Sequence, residues 1–457
     1  MDRERHRWRP VVAFSAVAVV LRLIPILLAV NMGIALDDMF QYDDLAESIR
    51  LGQGFSWYGG IPTAARAPLY PVFLAIIYTL FGHSFVAARI IQALVASLLP
   101  LVTYAVGRRL FSTRAGQAAA WVVALYPLFL LVPLAALTLM KAADTSSRSC
   151  FLLLGVLLGL AILTHSVIGG FLVLILPWLW YYGGRSREAV KNWVLILLPV
   201  IALTMPWSIR NSLLYREFVF VESSLGFNLY LGYHPDGSGT FDSPIAVEFL
   251  ERLGALDSPD LETEKATNEV GMQEGLRFIR EDPARAVWLL LSKLSHFLRL
   301  DKRLLLYFYS NNFLGELPAN VLTLVFLVIC LPWVAVLLLS IPGMVLSKVT
   351  RDRALVYLLC SYLVGIHVLI MTEARFHLVM VPLLSVFAVQ GVLAVSRALG
   401  DLNAADPELR RATRRRVTLS VLIIVLLLVN WAYELNTGMD KLGILFAPGG
   451  NLARFTY

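Results

Sequence analysis

Runs of apolar residues long enough to cross a lipid bilayer recur along almost the whole chain. Of its 457 residues, 58% are hydrophobic and 16% are charged, whereas soluble domains average about 25% charged residues. Because about 20 consecutive apolar residues cross the hydrocarbon core as a helix, this pattern predicts an all-α, polytopic membrane protein. The runs are residues 11–30, 85–106, 116–140, 171–182, 193–206, 319–346, 355–371, 378–395 and 417–431.

Basic residues are concentrated in the short loops between these runs, which accounts for the formal net charge of +7. The clusters occupy residues 108–114, 185–191, 348–353 and 410–416. Lys and Arg accumulate in the cytoplasmic loops of membrane proteins, so we interpret the charge as a topology signal and expect no nucleic-acid partner. The three cysteines lie in or beside apolar runs without metal-like spacing, so neither disulfides nor zinc are expected.

The first run follows four arginines, at positions 3, 5, 7 and 9, and no small-residue cleavage site comes after it. We therefore expect an uncleaved anchor with a cytoplasmic N-terminus in the plasma (inner) membrane. Threading from there places residues 33–68, the first outer loop, and residues 207–285 outside. The predicted regions are a transmembrane core (1–210), an extracytoplasmic loop-rich insertion (211–285) and a C-terminal transmembrane region (286–457). Residues 284–297 are expected at the membrane surface.

The threading does not close between Arg114 and Lys141, where an even number of crossings is required. The run at 116–140 is long enough for one ordinary span. Either Pro127 and Pro133 allow a short or re-entrant hairpin, or residues 141–148 lie outside against the positive-inside rule. The sequence leaves both alternatives open.

The first outer loop is the most unusual polar segment, because it combines an acidic half with a basic end. Asp37 and Asp38 are candidate general bases toward an acceptor hydroxyl or amine, and Tyr42 shares a face with Asp38 if the segment is helical. An acidic helix cap is the alternative. Arg66, two residues before Pro68, offers a planar donor fork suited to phosphate; snorkelling to headgroups is the alternative.

Two further arginines lie at outer span ends, where the positive-inside rule gives them no orienting role. They are Arg210, after the run at 193–206, and Arg375, in the link after the run at 355–371. An ion pair with Glu373 is the alternative for Arg375. We expect Arg66, Arg210 and Arg375 to converge on a pocket for a lipid-linked phosphate. His165 is a further candidate, although a structural interhelical histidine is the commoner case.

Several short motifs occur in an order that resembles the bacterial branch of the GT-C glycosyltransferases, related to protein O-mannosyltransferases and aminoarabinose (lipid A) transferases. The resemblance covers roughly residues 10–395 and depends on the ordered set, because each motif alone is unspecific. The motifs are Asp38-x-x-x-Tyr42-x-x-x-Ala46, Arg66-Ala-Pro-Leu-Tyr70, Gly107-Arg-Arg-Leu-Phe111, Gly159-Leu-Ala-Ile-Leu-Thr164, Pro206-Trp-Ser-Ile-Arg-Asn211, Gly226-Phe-Asn-Leu-Tyr-Leu-Gly232 and Arg375-Phe-His-Leu378.

The resemblance implies transfer of a sugar from a polyprenyl-phosphate-linked donor to an extracytoplasmic lipid, glycan or protein acceptor. A base on the side of the sugar opposite the leaving phosphate would favour inversion at the anomeric carbon. The resemblance implies that Asp38 is the catalytic base, with Asp37 as a neighbour able to substitute. It also implies that Arg66 contacts the donor phosphate and that Tyr42, Arg210 and Arg375 lie around the same pocket. No cofactor is expected. A divalent metal stays an open alternative, although the sequence shows no ligand cluster that supports it.

Two positions depart from the family pattern. Family members carry an acidic residue after Thr138, whereas Leu139-Met140-Lys141 follows here, so about one helix of sequence is missing. His165 stands where the family has an arginine. The alternatives are a non-catalytic scaffold with this fold and a lipid-linked glycan transporter. A transporter would place ionisable residues near the bilayer midplane, and the span cores hold few charges, which favours the enzyme.

Overall fold

Nearly all of the described chain is helical in the computed structural model. The structure describes residues 2–28, 37–57, 59–124, 131–183, 187–256, 260–300, 318–437 and 443. The helices are α1 (Asp2–Leu28), α2 (Asp37–Arg50), α3 (Leu69–Phe81), α4 (Phe85–Ala96), α5 (Leu99–Leu110), α6 (Thr113–Ala124), α7 (Leu131–Thr145), α8 (Arg148–Thr164), α9 (Phe171–Tyr182), α10 (Arg187–Tyr215), α11 (Leu225–Tyr233), α12 (Ser243–Arg252), α13 (Leu261–Glu281), α14 (Pro283–Phe297), α15 (Ala319–Val345), α16 (Arg351–Leu369), α17 (Val381–Leu402) and α18 (Pro407–Thr437).

Three short elements complete the secondary structure of these residues. Ser166–Gly170 and Ala374–Met380 are 3-10 helices. The strands β1 (Ser56–Trp57) and β2 (Ile61–Pro62) form an antiparallel hairpin in which Ser56 pairs with Pro62.

Six helical stretches of the described chain are long and apolar enough to cross a membrane. Shorter apolar helices accompany them at 13–27, 69–81, 148–164 and 166–182. The predicted all-α, polytopic membrane fold is therefore confirmed. The six stretches are Phe85–Leu110, Arg187–Tyr215, Ala319–Val345, Arg351–Leu369, Ala374–Leu402 and Pro407–Thr437.

The predicted run at 116–140 is not one helix. Helix α6 ends at Ala124 and α7 begins at Leu131; Pro127 falls between them, outside the described residues. Pro133 lies in the first turn of α7, where its missing N–H removes no helical hydrogen bond. Two helices therefore occupy the place where the sequence offered one long apolar run.

Helix α7 returns to the end of the bundle from which α6 departs. Asp144, in the last turn of α7, lies 2.6 Å from Nη2 of Arg109 at the end of α5. Arg109 Nε also lies 2.8 Å from Asp352 at the start of α16, and Arg353 donates to the carbonyl of Leu110 at 2.8 Å. We call this the basic end. Because the end of α7 lies there, α6 and α7 form a hairpin, as in the first of the two alternatives.

Glycines let α15 and α17 pack at close range. A Cβ atom at Gly343 would lie 1.9 Å from the carbonyl oxygen of Phe387, and one at Gly391 would lie 1.9 Å from that of Leu339. Small residues at a helix crossing allow the two backbones to approach. This packing fixes α17 within the bundle, and the 3-10 helix that carries Arg375 leads directly into it.

Helix α14 has one apolar face that the described protein leaves exposed. Val287, Trp288 and Leu291 are exposed, whereas Leu289 and Lys293 on the other face are buried. An amphipathic helix of this kind suits a membrane surface. This exposed face favours the prediction that residues 284–297 lie at the membrane surface, which stays a prediction.

Candidate active site

Asp38 and Tyr42 lie one turn apart on α2, which begins at Asp37. The side chain of Asp37 lies outside the described part of the chain, so its role as an alternative base stays a prediction. Helix α2 is fastened to α3 by Asp43, whose Oδ1 accepts from the hydroxyl of Tyr78 at 2.7 Å and lies 2.8 Å from His83 Nε2. Asp43 is thus engaged in packing the loop.

The Asp38 carboxylate lies between two guanidinium groups from distant parts of the chain. Arg66 Nη2 is 3.3 Å from its Oδ1, and Arg375 Nη2 is 2.8 Å from its Oδ2. The exposed fractions of the Asp38, Arg66 and Arg375 side chains are 36%, 24% and 55%. An anion that approaches the cluster from solvent therefore meets two arginines that one carboxylate already holds together.

Arg66 has more donor capacity than its described partners use. Its Nη2 also donates to Oε1 of Gln41, which lies on α2. Its Nε is buried and has no acceptor among the described residues. Because an unpaired charged donor away from water is costly, an anionic ligand in this cluster would supply the acceptor that Arg66 Nε lacks.

Arg375 reaches α2 from the 3-10 helix Ala374–Met380. The ion pair it makes there is with Asp38. Glu373, the alternative partner, is buried and accepts a hydrogen bond from the main-chain N–H of Phe241 at 3.0 Å. Arg375 therefore belongs to the Asp38 cluster, whereas Glu373 faces the insertion.

Arg210 does not join Arg66 and Arg375. Its Nη2 donates to the carbonyl of Phe55 at 2.9 Å, and its Nη1 donates to the carbonyl of Thr63. Its guanidinium also lies 5.0 Å from the ring centroid of Trp207. The expected convergence of three arginines does not hold for Arg210, because main-chain carbonyls on both sides of the β hairpin occupy its donors. It fastens the segment that leads to Arg66.

Tyr42 presents its phenol beside the two arginines. Its ring packs edge-on against Tyr70, with ring centroids 5.0 Å apart. Burial raises the pKa of the Tyr42 phenol, while the field of Arg66 lowers it and that of Asp38 raises it. The phenol therefore keeps its proton at neutral pH and can donate a hydrogen bond to a ligand.

His165 and Glu222 adjoin the cluster. Ser166 donates its hydroxyl to Glu222 Oε1, which brings this carboxylate next to His165. Desolvation lowers the pKa of the His165 imidazole, whereas the Glu222 carboxylate raises it and Arg375 and Arg66 lower it. Glu222 was not among the site residues predicted from the sequence. The available signal was an acidic residue directly after the apolar tetrapeptide 218–221.

Glu264 on α13 joins the insertion to the first outer loop and was also missed. Each of its oxygens accepts hydrogen bonds from more than one donor, so the side chain acts as a common anchor. The donors are Thr63 Oγ1 at 2.6 Å, the Ala64 main-chain N–H at 3.0 Å, Ser223 Oγ at 3.2 Å, Trp57 Nε1 at 3.4 Å and the Tyr215 hydroxyl. The sequence marks Glu264 only as one of several glutamates in a polar helix.

A metal centre is not formed by the described residues, among which no group of three or more His, Cys, Asp or Glu side chains is placed to hold an ion. The described side chains at the cluster include one carboxylate, two arginines and a phenol. Two arginines suit a phosphate, and a carboxylate suits proton transfer.

One protein-family model matches part of the chain. It describes the dolichyl-phosphate-mannose-protein mannosyltransferases and matches residues 65–209. The matched region contains Arg66 and His165 but neither Asp38 nor Arg375. No curated protein matches the chain.

Solved structures resemble the chain over most of its length at low sequence identity. The oligosaccharyltransferase AglB from Archaeoglobus fulgidus, in complex with an inhibitory peptide and a dolichol-phosphate, is 16% identical with a TM-score of 0.51. That match covers 99% of this chain and 60% of AglB, so the chain spans less than two thirds of that protein. ArnT from Cupriavidus metallidurans bound to undecaprenyl phosphate is 15% identical with a TM-score of 0.37, covering 86% of this chain and 79% of ArnT.

The likeness to AglB is at the level of the fold, and the family match adds a sequence signal over residues 65–209. Both agree with the resemblance carried by the ordered motifs. The chain therefore has the fold of the GT-C superfamily of membrane glycosyltransferases.

Proposed function

We propose that this chain transfers a sugar, as a hexosyl- or pentosyltransferase, from a polyprenyl-phosphate-linked donor to an acceptor outside the plasma (inner) membrane. The observation that carries the proposal is the Asp38 carboxylate held by Arg66 and Arg375 at one end of a bundle of membrane helices. A lipid phosphate presents its charge at the membrane surface, where such a pair of arginines can bind it. The AglB structure of the same fold contains a dolichol-phosphate.

The orientation of the bundle follows from its charge. The basic end carries Arg109, Arg351 and Arg353, and cytoplasmic loops are the ones rich in Lys and Arg. The Asp38 cluster lies at the opposite end, because α8 leads away from the basic end to His165 and α16 leads away from it to Arg375. We accordingly place the active site on the extracytoplasmic face.

Donor binding exchanges the partners of the two arginines. Without a ligand, Arg66 and Arg375 each give one Nη2 contact to Asp38. A phosphate has more acceptor oxygens than a carboxylate and can also accept from the unpaired Nε of Arg66. When the phosphate takes both guanidinium groups, the lone pairs of Asp38 become available for the proton of an acceptor.

The reaction then proceeds as a displacement at the anomeric carbon of the donor sugar. The bond between this carbon and the phosphate oxygen breaks, and its electron pair stays on the phosphate, whose charge Arg66 and Arg375 stabilise. The acceptor oxygen or nitrogen forms the new bond from the opposite face and passes its proton to Asp38. Attack from the opposite face inverts the anomeric configuration.

The proposal is tested in a deletion strain by mass spectrometry of the lipid-phosphate sugars in its membranes. The donor should accumulate in the deletion strain and be consumed again when the wild-type chain is restored. When the variant Asp38→Asn is expressed in the deletion strain, the protein should be present in the membrane but the donor should still accumulate.

The matched control is Asp236→Asn, because the Asp236 side chain is 89% exposed and outside the cluster. This control should consume the donor as the wild type does. Normal consumption by Asp38→Asn would remove Asp38 from the role of base, and an unchanged lipid profile in the deletion strain would contradict the proposed activity.

A further inference from the structure

The link that carries Arg375 is held by the insertion at several points. This link, residues 370–373, joins the end of α16 to the 3-10 helix with Arg375. The Thr372 N–H donates to the carbonyl of Gly239 at 3.2 Å, and Glu373 accepts from the Phe241 N–H at 3.0 Å. The Tyr233 hydroxyl donates to the carbonyl of Leu369, just before the link, at 2.8 Å.

Lys293 of α14 also contacts this link, and it is fully buried at 0% exposure. Its Nζ donates to the carbonyl of Ile370 at 2.8 Å and lies 3.4 Å from the ring centroid of Tyr233. The stem of Lys293 passes Gly239, which has φ +92°, and a Cβ atom there would lie 2.6 Å from Lys293 Cγ. The surroundings are therefore shaped around this lysine.

We infer that Lys293 is a positioning residue for Arg375, an inference that rests on the function proposed above. Lys293 binds the carboxyl end of α16 and thereby fixes the link that carries the Arg375 guanidinium to Asp38. A cation at the C-terminal carbonyls of a helix is in its favourable place. Lys293 contacts neither Asp38 nor the two arginines among the described contacts, so its effect on the cluster is transmitted through residues 370–373.

The contacts of Lys293 are costly to maintain for packing alone. Burial lowers the pKa of Lys293 to about 7, which shows that the charged form is disfavoured at this place in the fold. Burying a charge is costly unless polar partners compensate for it. A methionine would fill the same space without this cost, so the polar contacts of Lys293 with the link indicate a positioning use.

The test measures undecaprenyl phosphate binding and thermal unfolding of the full-length chain in detergent. In Lys293→Met, the affinity for undecaprenyl phosphate should fall on the order of tenfold, because the charged contact between Arg375 and the phosphate is weakened. The unfolding midpoint should stay within about 2 °C of the wild type, because relief of the buried charge offsets the lost hydrogen bond.

The matched control is Lys191→Met, since the Lys191 side chain is 67% exposed on α10 and pairs only with Glu188 among its described contacts. This control should change neither quantity. Wild-type affinity in Lys293→Met would overturn the inference. A large fall in the unfolding midpoint together with lost binding would also overturn it, since that pattern belongs to a residue needed for folding.

A second variant keeps the test independent of Lys293 itself. Tyr233→Phe removes the hydroxyl that holds Leu369 and leaves the ring beside Lys293 in place. It should weaken undecaprenyl phosphate binding in the same direction, by a smaller factor. The variant Arg375→Ala separates the two levels of the argument. If it binds undecaprenyl phosphate normally, the proposed phosphate site fails; if it loses binding while Lys293→Met and Tyr233→Phe keep it, only the positioning role fails.

Discussion

Replacing Glu264 with glutamine should loosen the first outer loop, because this side chain of α13 binds several groups of the loop. In the native chain, Oε2 accepts from Thr63 Oγ1 at 2.6 Å and Trp57 Nε1 at 3.4 Å, while Oε1 accepts from the Ala64 N–H at 3.0 Å. Glutamine keeps one acceptor oxygen and presents an NH2 group in place of the other, so one set of donors loses its acceptor.

The size of the effect follows from these contacts. The contact at 2.6 Å is a strong charge-assisted hydrogen bond, and hydrogen bonds to charged groups are worth roughly 1.5–3 kcal/mol each. The contact at 3.4 Å adds little, and the bonds to the remaining oxygen weaken because the charge is gone. We therefore expect Glu264→Gln to lower the free energy of unfolding by roughly 2–4 kcal/mol.

The assay follows the reaction of a thiol-specific fluorophore with the buried cysteines Cys330 and Cys360 as the chain unfolds on heating. A loss of this size corresponds to a fall of roughly 2–4 °C in the unfolding midpoint of a chain of 457 residues. The control is Glu269→Gln, on the same helix, whose side chain is 46% exposed and pairs with Lys265 at 3.7 Å. Equal midpoints for the two variants would refute the view that Glu264 anchors the loop.

Three further results are expected. Arg210→Lys should reduce transfer while leaving undecaprenyl phosphate affinity within about threefold of the wild type, because Arg210 donates to main-chain carbonyls and does not contact the phosphate. A loss of affinity as large as that of Arg66→Ala would return Arg210 to the pocket. Raising the pH from 7 to 9 should increase the unfolding midpoint of the wild type more than that of Lys293→Met. The pKa of Lys293 in the folded chain, about 7, lies below the ordinary 10.5, so the folded chain binds fewer protons than the unfolded chain and gains stability as the pH rises. Parallel curves of midpoint against pH for the two proteins would contradict the burial of Lys293. In a background lacking the native cysteines, cysteines at 236 and 405 should react from opposite sides of the membrane with an impermeant reagent, and labelling of both from one side would contradict the threading.

The sequence was sufficient for the class of fold and for selecting three side chains that the structure brings together, Asp38, Arg66 and Arg375. Apolar length predicts membrane helices whatever their partners. Arg66 and Arg375 could be selected because arginines at outer span ends have no orienting value. Asp38 could be selected because a carboxylate at the rim of a span is costly unless it is solvated, paired or used. These arguments depend on local position in the membrane, which the sequence encodes.

What the sequence could not show depends on how distant segments return to each other. Arg210 satisfies the same local argument as Arg66, yet its guanidinium binds carbonyls of Phe55 and Thr63, more than a hundred residues earlier. Glu264 meets the same loop from α13, about 200 residues later in the chain. Neither contact leaves a periodic or compositional trace, because main-chain carbonyls and N–H groups are present at every position.

The turn between α6 and α7 was open for a similar reason. One apolar run at 116–140 is compatible with one long helix or two shorter ones, and periodicity alone does not distinguish them. The ion pair between Asp144 and Arg109 decides the matter, since it places the end of α7 beside the end of α5. Such pairing is a property of the packed bundle.

The central claim is that the donor phosphate and the Asp38 carboxylate compete for Arg66 and Arg375. Its most direct test is the affinity of Asp38→Asn for undecaprenyl phosphate, measured beside the wild type and Asp236→Asn. Removal of the competing carboxylate should tighten binding by roughly three- to tenfold, as expected for a charge pair worth about 1 kcal/mol at a partly exposed site, although the variant cannot transfer sugar. Weaker binding in Asp38→Asn than in both controls would show that the carboxylate assembles the phosphate site, and would contradict the claim.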